Sequence, residues 1–375
     1  MRSALLRPSH RVDARGVRAL LAATAVVASL WALTAAAAAA PVPFAEVENL
    51  RAGPVIAGQG LAWIEWGREC PDGGALECEM LVLAMPGRRR VVHRFARGLD
   101  TWDLAASPSL FAFHRADVFG GDEPGTTREV LGIVQAYGSE KSLIRCHSSD
   151  GACPGPLESG GVDVSGRFVA LGHDAGVTVY DQSGSRARRR LIRSPKGFYP
   201  CCGLFDLAGP WLAMSGYESE VLLFDWRSRQ LVHRINVRPR QHPVELSLQP
   251  DGTFAYVYDA NQKNRLWVSR PPRHRPRYLR RVHATPILAR GRIAVQRSAE
   301  ADATTQFDVL DLRGRMITTV DTGRRITDPY APLQAFDGRC LVWSEKRGAG
   351  DAERYGVMVA DVGGRGIAPC PMLRR

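Results

Sequence analysis

Lysine is nearly missing from this chain. Only Lys141, Lys196, Lys263 and Lys346 occur among its fifty basic residues, and the rest are arginine. So lopsided a choice fits a GC-rich coding genome, and it weakens any functional reading of the net charge of +12. Signatures of chemistry are missing too. There is no GxSxG elbow, which removes the serine-hydrolase partner that some repeat folds carry. There is no HExxH, EF-hand loop, P-loop or dinucleotide fingerprint, which removes the common metal, nucleotide and redox classes. No cysteine pair has CxxC spacing. The basic runs lack interleaved aromatics, which argues against a nucleic-acid partner. Beyond Pro41 no window carries a long amphipathic helix.

The N-terminus reads as an address. Met1 to Arg18 carry five arginines and one acid, and Ala19 to Ala40 are then free of charge, ending in a run of alanines before Pro41. A basic stretch, an apolar stretch and small residues before a cut define a secretion signal. The run is also long enough for an uncleaved anchor, though its alanines make it weakly hydrophobic. Either way, residues 1–40 are expected to be a signal peptide or membrane anchor. Residues 41–375 are then expected to form one secreted or extracytoplasmic domain.

That domain is built from short strands in a fixed order: apolar strand, tight turn, apolar strand, variable loop, third strand, turn, basic strand. GVDVS, Gly166, RFVALG, GVTVYD, QSGS and RRRLIR show it once; LFDLAG, PWLAMSG, EVLLFDW, RSRQ and LVHRINV show it again. First turns at Gly60, Ser109, Gly166, Gly209, Gly252, Gly291 and Gly338 recur at intervals that suit four-stranded propeller blades. Seven third strands can be matched, from MLVLAMPG to GVMVADVGG. The expectation is an all-β, seven-bladed β-propeller with four-stranded antiparallel blades after the N-terminal signal or anchor helix. A pair of β-sandwiches is the alternative that strand spacing leaves open. PFAEVENL, residues 43–50, can supply the outer strand of blade 7 beside YGVMVAD; RGIAPC, residues 365–370, competes for that place.

In its turns QPDGTFAYV and FDGRCLVWS, and its strand ends VYDQSG and VLDLRG, the chain resembles the TolB-type and WD-like propeller superfamily. The resemblance spans Gly53 to Gly364, and the Gly-His of true WD repeats is absent. It implies fold and leaves function open.

Eight cysteines in an exported chain point to disulfides. Cys70 and Cys78 flank one loop, and Cys146 and Cys153 another. Cys340 and Cys370 would tie the C-terminal tail to blade 7. Cys201 and Cys202 are left as a vicinal pair or two free thiols, because blades 4 and 7 are too far apart to bridge. Zinc is the rival for His147 and Cys146, but the spacings do not suit a structural site.

Asp103, His242, Glu245, His283 and Asp328 lie near the starts of inner strands, where a channel mouth would gather them. Together they could bind a ligand or supply an acid and a base. Each stands in a different local context, and ordinary strand-end residues would look the same. No catalytic residue, cofactor or metal is assigned.

The loops between second and third strands are long and acidic in blades 1, 2, 6 and 7, with Glu65 and Glu345 counted among their acids. The turns between third and fourth strands carry arginine. The expected function is an exported, non-catalytic module binding a protein or glycan on its long-loop face, with its basic face towards an anionic envelope surface. A lactonase-like hydrolase or lyase at the channel mouth is the alternative.

Overall fold

The computed structural model describes residues 39–67, 78–95, 99–117, 127–135, 140–148, 161–173, 175–183, 188–195, 200–216, 220–236, 243–259, 264–282, 286–297, 304–323, 335–347, 354–363 and 367–373. The signal or anchor assigned to residues 1–40 falls almost wholly outside them. Among the described residues no helix is long and apolar enough to cross a membrane.

Ala39–Arg375 is a ring of seven four-stranded antiparallel sheets. Strand β1 (Val42–Glu48) comes first in the chain and is set aside for the last blade. Blade 1 is β2 (Leu50–Ala57), β3 (Gly60–Gly67), β4 (Cys78–Met85) and β5 (Arg88–Arg94). Blade 2 is β6 (Asp100–Ala106), β7 (Leu110–Asp117), β8 (Thr127–Gln135) and β9 (Glu140–Ser148). Blade 3 is β10 (Val162–Ser165), β11 (Phe168–His173), β12 (Gly176–Asp181) and β13 (Arg188–Arg193). Blade 4 is β14 (Pro200–Ala208), β15 (Trp211–Gly216), β16 (Glu220–Asp225) and β17 (Gln230–Asn236). Blade 5 is β18 (Pro243–Leu248), β19 (Phe254–Asp259), β20 (Asn264–Ser269) and β21 (Arg277–Arg281). Blade 6 is β22 (Ile287–Ala289), β23 (Arg292–Gln296), β24 (Gln306–Asp311) and β25 (Met316–Asp321). Blade 7 has β26 (Ala335–Phe336), β27 (Cys340–Arg347) and β28 (Arg354–Asp361), and β1 completes it.

That completion closes the ring. Val42 pairs with Val359 and Glu48 with Arg354, so the outer strand of blade 7 comes from the other end of the chain. Val47 is buried there with Trp63, Val82, Val342 and Val357, joining blades 7 and 1. The competing segment, residues 365–370, forms no strand in its described part, 367–370, and a single 3-10 turn follows at Pro371–Leu373. Cys340 and Cys370 are bonded, with Cα atoms 5.1 Å apart, as the sequence predicts. Their closed loop of about thirty residues is worth about 3–4 kcal/mol in the chain-entropy account.

The core lies between blades. One cluster packs Ile64 and Leu81 of blade 1 against Phe111 and Phe113 of blade 2. Equivalent clusters join every other neighbouring pair around the ring. Second and third strands are therefore covered on both faces. They read as unbroken apolar runs such as LAWI and LLF in place of a strict alternation. The turn glycines predicted at 166, 209, 252, 291 and 338 all have positive φ, between 59° and 89°. In blade 1 that role belongs to Gly58, with φ 65°. Gly60 is needed for a different reason: a Cβ there would stand 2.4 Å from the Ala84 carbonyl oxygen.

Two acids assigned to loops belong elsewhere. Glu65 and Glu345 are buried in β3 and β27 and accept the indole N–H of the tryptophan two residues earlier. Trp63 Nε1 donates to Glu65 at 2.7 Å, and Trp343 Nε1 to Glu345 at 2.9 Å. An alternating strand puts residues i and i+2 on one face, so W-x-E places indole and carboxylate together.

Candidate functional site

Inner strands carry a recurring Asp, apolar, small triplet: Asp103-Leu104-Ala105, Asp163-Val164-Ser165 and Asp206-Leu207-Ala208. Each aspartate reaches sideways to the next blade. Asp103 Oδ2 accepts the Val162 N–H at 2.9 Å, Asp163 Oδ2 that of Leu207 at 2.6 Å, and Asp206 Oδ2 that of Leu248 at 2.7 Å. Ser247 continues the series by accepting the Leu288 N–H at 3.0 Å. These bonds satisfy inner-strand N–H groups that face a neighbouring blade instead of a partner strand. Blades 2 to 6 are thus stitched edge to edge at the inner wall.

Burial is the main force on these carboxyls. It pushes Asp103 up to about 6, against the help of the Val162 and Leu104 N–H groups. Burial also raises Asp163 and Asp206, and the charge of Asp206 lifts Asp163 further. The hydrogen bond between the two raises Asp163 and lowers Asp206. His114, cross-strand from Asp103, is also buried, and burial lowers its pKa.

Of the residues predicted at the channel mouth, the structure describes Asp103 in β6 and Glu245, half-buried in β18. His242, His283 and Asp328 lie outside the described residues. Among the described residues no three His, Cys, Asp or Glu side chains are grouped to hold a metal ion. Asp163, Asp206 and Ser247 were not singled out from the sequence, though the repeated triplet is the signal that could have found them. Cys70 and Cys153 are also outside the described residues, as are the side chains of Cys146, Cys201 and Cys202; Cys78 is buried at the start of β4.

Two further acids lock blades together towards their outer strands. Glu79 of β4 accepts Thr101 N at 3.0 Å and Arg115 Nε at 3.3 Å from blade 2. Asp308 of β24 pairs with Arg280 of blade 5 at 3.1 Å and with Arg297 at 2.7 Å.

The face bearing the first-to-second and third-to-fourth turns has a regular construction. Third strands end in an aspartate whose Oδ1 accepts the N–H two residues on: Ser183 to Asp181 at 2.9 Å, Arg227 to Asp225 at 2.9 Å, Arg313 to Asp311 at 2.7 Å, and Gly363 to Asp361 at 2.9 Å. These half-buried acids are folded into the turns. The arginines that follow are exposed, among them Arg88, Arg189, Arg227, Arg273 and Arg313. In blade 5 the turn runs through a cis Pro271–Pro272 bond and closes with His274 N–H donating to the Arg270 carbonyl at 2.8 Å.

No protein-family model matches the sequence, and no curated protein does. Solved structures do. BamB from Moraxella catarrhalis aligns over 83% of this chain and 85% of its own, at 14% identity and TM-score 0.44. KlAtg21, solved with the coiled coil of AgAtg16, aligns over 80% and 94%, at 11% identity and TM-score 0.50. A chain of the mitotic checkpoint complex aligns over 84% and 91%, at 11% identity and TM-score 0.51. What they share with this chain is the β-propeller fold. At such identities the likeness stops there.

Proposed function

We propose that the chain is an exported, non-catalytic propeller that binds a protein or glycan at the cell surface. Its long-loop face does the recognition, and its basic face turns towards an anionic envelope surface. The observation that carries the reading is where the polar groups go. The inner-wall carboxyls are spent on tying blades together, which makes a fixed frame. The connections between second and third strands differ in length, from two residues between β11 and β12 to ten between β3 and β4. Loops on a fixed frame are where recognition usually sits. Two solved propellers of like fold are described in assemblies with other chains, KlAtg21 with the AgAtg16 coiled coil and one within the mitotic checkpoint complex.

One feature favours the second reading, a channel-mouth hydrolase or lyase: Asp163 and Asp206 interact with each other and burial raises both, as in an acid–base pair. Against it, both Asp163 oxygens accept backbone N–H groups, from Val164 and Leu207.

The test immobilises the secreted protein and offers it solubilised envelope protein and purified wall glycans. Retention should be lost on charge reversal of Glu69, Asp72 and Glu77, and kept on charge reversal of Arg273 and Arg275. Retention indifferent to the loop acids would sink the recognition face. Turnover of a lactone panel that Asp163→Asn abolishes would replace the binding reading with the enzymatic one.

A further inference from the structure

Six large apolar side chains are exposed among the described residues: Val42 at 41%, Met85 at 44%, Leu231 at 42%, Val232 at 44%, Tyr278 at 44% and Met316 at 45%. All six sit towards the same face of their blades. Val42 and Met316 begin β1 and β25, Leu231, Val232 and Tyr278 are second or third in β17 and β21, and Met85 ends β4. Outer strands start, and third strands end, on the third-to-fourth-turn face.

All but Val42 have exposed arginines close by in sequence. Met85 precedes Arg88, Leu231 follows Arg229, Tyr278 follows Arg277 and Met316 follows Arg315. The aspartates of the same turns are bound to backbone N–H groups, as described above. Between blades 7 and 1 a groove of about 790 Å³ opens on this face. Val42, Phe44, Met85, Pro86 and Leu373 line it, together with Arg88, Arg89 and Glu46.

Arginine guanidinium groups suit phosphate oxygens, which they can grip with two parallel hydrogen bonds. A soluble polyanion would use them but leave the apolar side chains in water. A folded protein partner would need those side chains gathered in one patch, whereas here they are spread over blades 1, 4, 5, 6 and 7. Cationic and apolar groups side by side on five of the seven blades of one face fit a flat partner that is anionic at its surface and apolar beneath. That describes a phospholipid leaflet.

We propose that this face docks onto an anionic membrane by insertion. The arginines pair with lipid phosphates, while Val42, Met85, Tyr278 and Met316 pass between headgroups into the acyl boundary, with the blade 7–blade 1 groove open to lipid. The proposal rests on the reading of the basic face as one that meets an anionic surface, and adds the apolar contact and the lipid.

Co-sedimentation of the full chain with protein-free vesicles tests it, using phosphatidylcholine with and without phosphatidylglycerol, at low and high salt, and with heparin as a soluble polyanion. Every variant keeps the same N-terminus, so differences report on the face. Arg88→Glu, Arg273→Glu, Arg275→Glu and Arg313→Glu together should weaken binding to anionic vesicles about 100-fold and to heparin as well. Met85→Ser, Tyr278→Ser and Met316→Ser together should weaken vesicle binding about tenfold and leave heparin binding unchanged. If the triple variant melts below wild type, Met316→Ser alone decides the matter, with a loss of about twofold expected. Vesicle binding unchanged by the serine variants but lost in the glutamate variant overturns insertion and leaves the electrostatic reading standing. Vesicle binding unchanged by both sets overturns the two together.

Discussion

Asp163 and Asp206 set the pH response of this ring, because two buried carboxyls in contact cannot both ionise. The folded state therefore holds more protons than the unfolded chain, whose aspartates titrate near 3.8. Where the folded state binds more protons, stability falls as pH rises. The contribution is full below the unfolded value and is lost as pH climbs through the raised values, that of Asp103 being about 6. The melting temperature should accordingly decline from mildly acidic pH towards pH 8, with Asp103 accounting for about 1–3 kcal/mol of that decline. In Asp163→Asn the decline should be shallower, since an amide does not titrate. Calorimetry across a pH series reads this, and equal slopes in the two proteins would refute the raised Asp163. The outer acids should rank by how far their partners can retreat. Glu79→Ala removes the buried carboxylate that Arg115 pairs with, the arginine side chain being only 7% exposed, and should cost about 3–5 kcal/mol. Asp308→Ala leaves Arg280 and Arg297, 33% and 40% exposed, free to turn towards water, and should cost less. Chemical denaturation giving the reverse order would contradict this account.

Strand β1 is the element on which closure depends. Its ion pairs, Arg347 to Glu46 at 3.2 Å and Arg354 to Glu48 at 3.9 Å, lie at the surface and contribute little. Val47 holds it instead, buried where blades 7 and 1 meet. Val47→Asp should destabilise the protein by more than about 3 kcal/mol, because the new carboxylate has no partner in that cluster. Glu48→Gln should change stability by less than about 0.5 kcal/mol. Denaturant midpoints compare the two, and similar values would place closure elsewhere.

At the scale of the whole molecule, each apolar cluster belongs to two blades, so no blade has a core of its own to fall back on. Opening the ring at β1 exposes one side of both blade 7 and blade 1, and each then gives its other neighbour less support. Val47→Asp should for that reason lower a single unfolding transition rather than add an early one. Hydrogen exchange showing loss of protection confined to blade 7 would instead mean that blades unfold singly. The two faces differ by the same geometry: antiparallel four-stranded blades put every third-to-fourth turn on one side, and the arginines and exposed apolar residues with them.

The blade count, the strand order, the turn glycines, the closure by β1 and the Cys340–Cys370 bond were legible in the chain. They are local or repeating, and a repeat announces itself by its period. W-x-E and Asp, apolar, small were equally visible as strings, but their meaning was not. Whether Glu65 is a loop acid or the acceptor of a buried indole depends on where the strand ends and what covers it. Whether Asp103 is a ligand or a tie to the next blade depends on which N–H groups the neighbouring blade presents, sixty residues further on. Residue spacing determines the elements and the end of each strand at which a side chain falls. Which carboxyls meet, which lose their water and which arginines stay exposed were decided only when the blades closed into a ring, because those are distances between segments that the sequence does not order.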